Sequence, residues 1–458
     1  MAKIIIIGAG LTGISAAYHL ERAGFYDYLL YEKEDSPGGL CRSIEQDGFT
    51  FDFTGHLLHI NNDYFLSLIK QIVGLDSFEQ IARRSFIYSQ GNYTPYPFQI
   101  NLRGLPSSTI AECISKFVLR NKTTKKPKNF RQWVLKEFGS GFGKYFFFPY
   151  QTKIFSYSID KLTASWTSRF VPATTLTQII DGILYNPSDT QQIGYNAQFF
   201  YPKQGGIFAW VQKLINRLAN PIATNYQVKT IDTRNKTVIF TNGHHERYET
   251  LINTIPLDNL LHCLHEKPSN HIKQASDHLL CNSIINYNFG INRPHISDKH
   301  WIYFPEKIFP FYRLGFQHNF SNATTPSGHS ALYGECSFLH KSKHWQQQLL
   351  ANAIHKTKQL LNLASPEIVT EKIITIPHAY VIYDAWREKN LPVILAHLKK
   401  LDIHSVGRYG QWKYSSMQEA ILDGKAIAET LTFIPARKSL FDQQTWQIEP
   451  TRNETTPQ

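Results

Sequence analysis

The sequence predicts an α/β chain, α+β overall: a Rossmann-like dinucleotide-binding domain, a mixed-sheet second domain and a helical insertion. Three observations predict it. The run Lys3-Ile4-Ile5-Ile6-Ile7 breaks into Gly8-x-Gly10-x-x-Gly13 and then a helical pattern. A second apolar run ends in Glu32, nineteen residues after Gly13. Strand-like and helix-like segments then alternate around a long aromatic stretch.

Residues 3–7 read as a buried parallel strand, being short, β-branched and bounded by glycine. Residues 11–23 read as a helix ended by Gly24, and 27–32 as the second strand. In the turn between, Gly8 permits the tight bend and Gly10 lets backbone approach a pyrophosphate. Gly13 lets the helix pack closely on the strand. Leu11 and Thr12 open that helix, whose free N–H groups and positive end face the phosphates. Glu32 is placed to accept the ribose hydroxyls. A ligand-free glycine turn is the plain alternative; the flanking strand, the helix and the acid argue against it. FAD and NAD both fit to this point.

The alternation over 44–53 suggests a hairpin. Residues 61–190 are read as mostly helical. Residues 227–253 look like a meander with a turn at Asn242-Gly243. Residues 280–335 are strand-like, 344–362 helical, 403–407 a strand and 416–432 a helix. The expected domains follow. Residues 1–60, 200–256 and 395–435 form a discontinuous nucleotide domain, and 61–199 a largely helical insertion capping the substrate. Residues 257–394 form a mixed-sheet substrate domain, and 438–458 a polar tail.

Composition is ordinary for a globular chain of 458 residues, with 42% hydrophobic and 18% charged. The net charge of +12 suits an anionic partner. Part of it is local: Lys116, Arg120, Lys122, Lys125, Lys126, Lys128 and Arg131 fall within sixteen residues. No aromatic ladder interleaves them, which argues against nucleic acid. A solvated loop is the default and a membrane-surface contact the alternative. Five scattered cysteines (Cys41, Cys113, Cys263, Cys281 and Cys336) form no CxxC pair, which suits a reducing compartment. The first apolar run is too short for a signal peptide, and no stretch approaches spanning length. A soluble cytoplasmic protein is expected. No HExxH or GxSxG occurs, so neither a metal site nor a serine nucleophile is expected.

The next segments separate FAD from NAD. Pro37-Gly38-Gly39-Leu40-Cys41-Arg42-Ser43 follows the second strand, and Gly48 to His56 follows that. The double glycine lets backbone pass close to a cofactor, and Arg42 can neutralise phosphate charge. Near the C-terminus, Gly407-Arg408-Tyr409-Gly410 precedes a helix starting near Met417. The positive end of that helix suits an edge that becomes anionic on reduction. Tyr201-Pro202-Lys203-Gln204-Gly205-Gly206 and Leu251 to Pro256 add two lesser islands. In these residues the chain resembles the flavin superfamily of amine oxidases, protoporphyrinogen oxidase and UDP-galactopyranose mutase. The resemblance implies FAD, held by the glycine loop, Glu32, Gly39, Leu40, Arg42, Gly407, Arg408 and Met417, with a backbone contact at Val228.

Further islands resemble the mutases, especially their eukaryotic-type branch. They are Tyr96-Pro97-Phe98-Gln99-Ile100-Asn101, Asn129-Phe130 with Trp133, Pro149 to Phe155, Trp166 with Arg169, Phe311-Tyr312-Arg313, and His56. In that family reduced flavin attacks the sugar's anomeric carbon through N5 and the nucleoside diphosphate departs. The resemblance therefore implies Arg169 and Arg313 as guanidinium forks on the diphosphate. It also implies His56 orienting the flavin edge, and Phe98, Gln99, Trp166 and Tyr312 around the substrate, with NADPH as a candidate external reductant. Gln151, Phe155 and the stretch Ala379 to Asp384 depart from the family pattern, which leaves the sugar open. Plainer readings stand beside these. Arg169 could pair with a surface carboxylate. Arg313 lies among aromatics and needs either an anionic ligand or a structural acid. Tyr96, Phe98 and Trp166 could be core. The functional readings are a mutase-like enzyme of nucleotide sugars, a flavin oxidase or dehydrogenase, and a flavin-bearing binding protein without turnover. No second GxGxxG marks a separate nicotinamide domain.

Overall fold

The isoleucines of the first strand are almost fully buried, as a strand covered on both faces requires. Ile4 and Ile6 join one core cluster, with Ile14 and Ile421; Ile5 and Ile7 join another, with Leu257 and Leu391. The period of two thus assigns each side chain to one of two flanking helical layers.

The structure is a computed structural model describing residues 2–123, 125–167, 171–185, 197–265 and 275–443. Its strands are β1 (Ala2–Ile7), β2 (Tyr28–Tyr31), β3 (Ser43–Gln46), β4 (Phe49–Asp52), β5 (Phe78–Ala82), β6 (Ser85–Ser89), β7 (Asn92–Pro95), β8 (Gln198–Pro202), β9 (Ile222–Ala223), β10 (Val228–Asp232), β11 (Thr237–Phe240), β12 (His245–Asn253), β13 (Ser283–Ile291), β14 (Trp301–Tyr303), β15 (Arg313–Gly315), β16 (Ser330–Phe338), β17 (Ile368–Ile376) and β18 (Ile403–Ser405).

The first sheet has a parallel core, β9-β2-β1-β12-β18. The antiparallel β10–β11 hairpin attaches to the first half of β12. Helices Leu11–Arg22 and Met417–Gln443 pack closely on one side. Glycine makes this approach possible: a Cβ on Gly424 would lie 2.6 Å from the Thr12 carbonyl oxygen. Ser15 Oγ donates to the Ile421 carbonyl at 2.7 Å across the same contact.

The second sheet runs β17-β13-β16-β15-β14-β6-β7, antiparallel except for β14 with β6. β13 and β16 pair over nine residues, from Ser283 opposite Phe338 to Ile291 opposite Ser330. Helix Lys343–Leu361 covers one face, and the aromatic helical section around Phe117, Phe142 and Phe147 covers the other.

Two expectations are corrected. The section 61–199 is not simply a helical cap, because β6 and β7 join the second sheet. Their hairpin turns at Gln90-Gly91, both with positive φ (52° and 79°), the geometry that matches strand twist. The final helix runs on to Gln443, past the expected end at 432. β17 and helix Ala385–Lys400 are additional elements; Asp384 caps the latter by accepting from Arg387 N–H at 2.8 Å. Among the described residues no helix is long and apolar enough to cross a membrane.

Candidate active site

Three glycine-bearing segments, distant in sequence, converge at the end of β1. Gly8 has φ +94° and donates to the Tyr31 carbonyl at 2.8 Å. A Cβ on Gly13 would stand 2.0 Å from the Gly8 oxygen, so the helix can seat here only as glycine. The Gly38–Gly39 loop crosses beside it, Gly38 N–H donating to Ala9 O at 2.8 Å. A Cβ on Gly10 would meet only the Gly39 Cα, at 4.0 Å, so the cradle between the two loops is open to a ligand. Gly407 (φ +81°) closes the third side; its Cβ would lie 2.6 Å from Thr12 Oγ1. Glu32 is buried at the mouth, Oε2 accepting from Ala9 N–H at 2.8 Å and Oε1 from Glu34 N–H at 3.1 Å.

The remaining cofactor candidates surround this cradle in different ways. Leu40 sits in the short turn Gly39–Cys41 and packs on the aromatic core. Arg42 donates to Gly39 O and Ser36 Oγ, both at 3.1 Å, and lies 4.8 Å from the Phe53 ring centre. It braces its own loop. Met417 begins the last helix, whose first turn is capped reciprocally: Ser416 N–H donates to Glu419 Oε2 and Glu419 N–H to Ser416 Oγ. Val228 opens β10 and is half-buried.

A buried carboxylate ties the β3–β4 hairpin to β8 and to the turn that follows it. Asp52, at the end of β4, accepts from Ser43 Oγ (2.6 Å), Tyr201 OH (2.7 Å) and Ile207 N–H (3.2 Å). Burial pushes its carboxyl up to about 6. The chain then reaches Gly55, where a Cβ would lie 2.2 Å from the Tyr333 hydroxyl. His56 follows. Its Nδ1 is buried with no partner among the described residues. Burial, with Arg408 and Arg313 nearby, lowers its pKa to about 4, so the ring is neutral at pH 7.

Arg313 stands opposite Glu335 in the β15–β16 register. Its Nη2 donates to Glu335 Oε1 at 2.6 Å and its Nε to Oε2 at 3.1 Å, with Glu335 fully buried. The structural acid that a cation among aromatics requires is therefore present, and Nη1 lies outside the pair. Arg408 donates to Ser415 O (3.0 Å) and Ala379 O (2.8 Å), while its buried Nε has no partner among the described residues. Its guanidinium lies 4.8 Å from the ring centre of Tyr414 and 5.8 Å from that of Tyr380.

Tyrosines connect the two guanidiniums. Tyr380 stacks with Tyr414 at 6.3 Å and meets Tyr312 edge-on at 6.4 Å. Tyr312 continues to Tyr150 (6.5 Å), Tyr150 to Tyr303 (5.5 Å), and Tyr303 to Tyr96 (5.1 Å). Arg83 lies over Tyr96 at 5.0 Å. Tyr312 and Tyr333 carry buried hydroxyls without partners among the described residues. Burial raises the pKa of both, so they remain O–H donors at neutral pH. Tyr96, Tyr303 and Tyr380 are only half-buried, so the ring of side chains has an open side. Behind it, Lys153 Nζ donates to the carbonyls of Phe304 (2.7 Å) and Glu306 (2.5 Å). It thereby holds the loop leading into Arg313.

The other sequence candidates fall elsewhere. Phe98 is corrected: it is fully buried, stacked on Phe146 at 5.1 Å and edge-on to Phe142, and belongs to the core. Gln99 is buried, with Nε2 donating to Pro172 O at 3.0 Å. Trp166 stacks on Phe130 at 5.6 Å, and its Nε1 has no acceptor among the described residues. Arg169 lies outside the described residues. Tyr150, Tyr303, Tyr333, Tyr414, Glu335 and Arg83 are site neighbours to which no motif in the sequence gives a role. Among the described residues no group of three His, Cys, Asp or Glu could hold a metal ion.

The family model for flavin containing amine oxidoreductase matches residues 11–374. The chain belongs to this family. It is an FAD-dependent enzyme, and the open Gly10 cradle, the fixed Glu32 and the buried polar atoms His56 Nδ1 and Arg408 Nε, without partners among the described residues, fit that cofactor. Family membership leaves the substrate open, and matches to curated proteins are local. The chain is 44% identical over 61 residues to an uncharacterised protein of Methanothermococcus thermolithotrophicus (13% of this chain, 58% of that one). It is 30% identical over 110 residues to a probable flavin-containing monoamine oxidase A of Dictyostelium discoideum (22% of this chain, 24% of that one). These matches span less than two thirds of either relative. Structural likeness runs further. A reduced UDP-galactopyranose mutase superposes with TM-score 0.86 and 29% identity over 95% of this chain and 94% of that one. A putative protoporphyrinogen oxidase from Exiguobacterium has TM-score 0.74 and 16% identity over 94% of this chain and 99% of that one, a likeness of fold.

Proposed function

We propose that this flavoenzyme acts on a nucleotide sugar in the manner of a UDP-galactopyranose mutase, working with reduced FAD. The observation that carries the reading is a cluster of donors: Arg313, whose Nη1 lies outside its pair with Glu335, and Arg408 are joined through Tyr380, Tyr312 and Tyr333, and the buried Arg408 Nε and the Tyr312 and Tyr333 hydroxyls have no partner among the described residues. Such a site suits an anion with many oxygens, as a diphosphate is. A protonated amine would face two guanidiniums there and be repelled. The likeness to the mutase structure over nearly the whole chain supports the same reading.

Each residue then has a task. Arg313 and the Tyr312 and Tyr333 hydroxyls would hold the diphosphate as it departs and keep it within reach for its return. Tyr380 and Tyr414 would offer ring faces to the ligand. His56, neutral, would orient the flavin edge through a hydrogen bond and would not serve as a base at pH 7. Arg169 is kept as a second candidate fork. Reduced FAD, when bound, would supply the nucleophile for the sugar's anomeric carbon. NADPH is a candidate reductant. The free cysteines, three of them buried, support a reducing, cytoplasmic setting.

The test is a titration of FAD-loaded protein with UDP, followed by flavin absorbance. A saturable change is expected, weakened about 10-fold or more by Arg313→Lys, which keeps the charge but loses the fork. A flavin spectrum indifferent to UDP would refute the reading.

A further inference from the structure

The cationic run from Lys116 to Arg131 takes no part in the site above. It holds seven lysines and arginines and no acid. Two of the cations are occupied. Arg131 pairs with Asp160 at 2.6 Å, and Arg120 folds back over the Phe117 ring at 3.5 Å while donating to the Phe117 carbonyl. Lys116, Lys122, Lys125, Lys126 and Lys128 are exposed.

Apolar side chains are exposed at the end of the same helix and on the helix packed against it. Where helix Ser107–Val118 ends, Val118 is 54% and Leu119 76% exposed. Helix Leu176–Leu184 packs against that helix. It shows Leu176, Ile180 and Leu184 to solvent, at 38%, 39% and 64%, while Ile179 and Gly182 face inward. A spacing of four places the exposed three along one stripe. Tyr185, 64% exposed, extends it.

Two touching helices thus expose aliphatic side chains, and five exposed lysines stand at or beyond the end of one of them. An anionic bilayer satisfies both features: phosphate headgroups attract the lysines, and the acyl boundary accepts leucine, isoleucine and valine. Single-stranded nucleic acid would want interleaved aromatics, which the run lacks. No described helix is long and apolar enough to span, so the contact would be peripheral.

We propose that this helical face docks the enzyme on the surface of an anionic membrane. The test is flotation of the FAD-loaded protein with vesicles of phosphatidylcholine alone, or with about 30 mol% phosphatidylglycerol. Binding is expected to the anionic vesicles at about 0.1 M salt, and about 10-fold weaker or more at about 0.5 M salt or without the anionic lipid. The triple variant Lys122→Glu, Lys125→Glu, Lys126→Glu should bind about 10-fold more weakly or worse. The double variant Leu119→Ser, Leu184→Ser should bind about threefold more weakly or worse, with its salt dependence unchanged. All five side chains are exposed, so flavin absorbance should report intact protein in each case. Wild-type protein that stays unbound with anionic vesicles, or a triple variant that floats like wild type, overturns the proposal. Binding to a DNA oligonucleotide but not to vesicles also overturns it.

Discussion

Replacing Glu335 by glutamine tests whether Arg313 sits in a site built for an anion. In the native protein two hydrogen bonds, 2.6 and 3.1 Å, join a fully buried carboxylate to a guanidinium that is 17% exposed. Glu335→Gln is nearly isosteric but leaves the cation without a counter-charge. Breaking a buried pair in this way typically costs about 3–5 kcal/mol, against a total stability of about 5–15 kcal/mol. The urea midpoint should therefore fall clearly while the protein still folds in dilute buffer. A diphosphate ligand would supply the missing charge, so UDP should raise the midpoint more in the variant than in wild type. The assay is urea unfolding by intrinsic fluorescence, with and without saturating UDP. Wild-type stability in the variant would show that the pair carries no structural burden. Equal stabilisation of both proteins by UDP would show that the ligand does not reach Arg313.

Three further outcomes are expected. Gly13→Ala places a Cβ 2.0 Å from backbone oxygen, so purified protein should lose most of its FAD, measured as the ratio of flavin to protein absorbance. His56 has a folded pKa of about 4, so turnover of the reduced enzyme should show no ionisation from this group between about pH 5 and 8; a limb that disappears in His56→Asn would contradict this. Burial holds His19 at about 4 and His300 at about 3, and His300 Nδ1 accepts from Arg84 N–H at 2.8 Å. These folded values lie below the ordinary 6.5. Their stabilising contribution is thus present above about pH 6.5 and lost as pH falls through 4 and 3, by up to about 3–5 kcal/mol each. Urea midpoints between about pH 7.5 and 4.5 should show the decline, with a shallower slope in His300→Gln.

The phosphate loop was legible because its signal is local. The glycine spacing, the preceding strand and the helix lie within some thirty residues, and Gly13 has a steric role that spacing alone reveals. The long strands were legible through composition; β13 carries Ile284, Ile285, Tyr287, Phe289 and Ile291, and β16 carries Leu332, Tyr333 and Phe338. The β6–β7 hairpin was hidden in an aromatic stretch whose helical segments dominated, though Gln90-Gly91 carried the turn. The tyrosine ring was not legible as a site. Its members come from segments around 96, 150, 303, 312, 333, 380 and 414, and each alone resembles core. Phe98 had the same appearance and is core. Glu335 did leave a trace, as a single acid in an otherwise uncharged buried strand, which must find a cation. Only the β15–β16 register identifies that cation as Arg313.

The most direct measurement is anaerobic incubation of the FAD-loaded protein, oxidised or dithionite-reduced, with UDP-galactopyranose, followed by chromatography for the furanose form. Isomerised sugar is expected from the reduced protein alone, and little or none after Arg313→Lys. No isomerisation of this or other UDP-sugars by reduced, FAD-replete protein, together with amine-dependent oxygen consumption by the oxidised form, would contradict it.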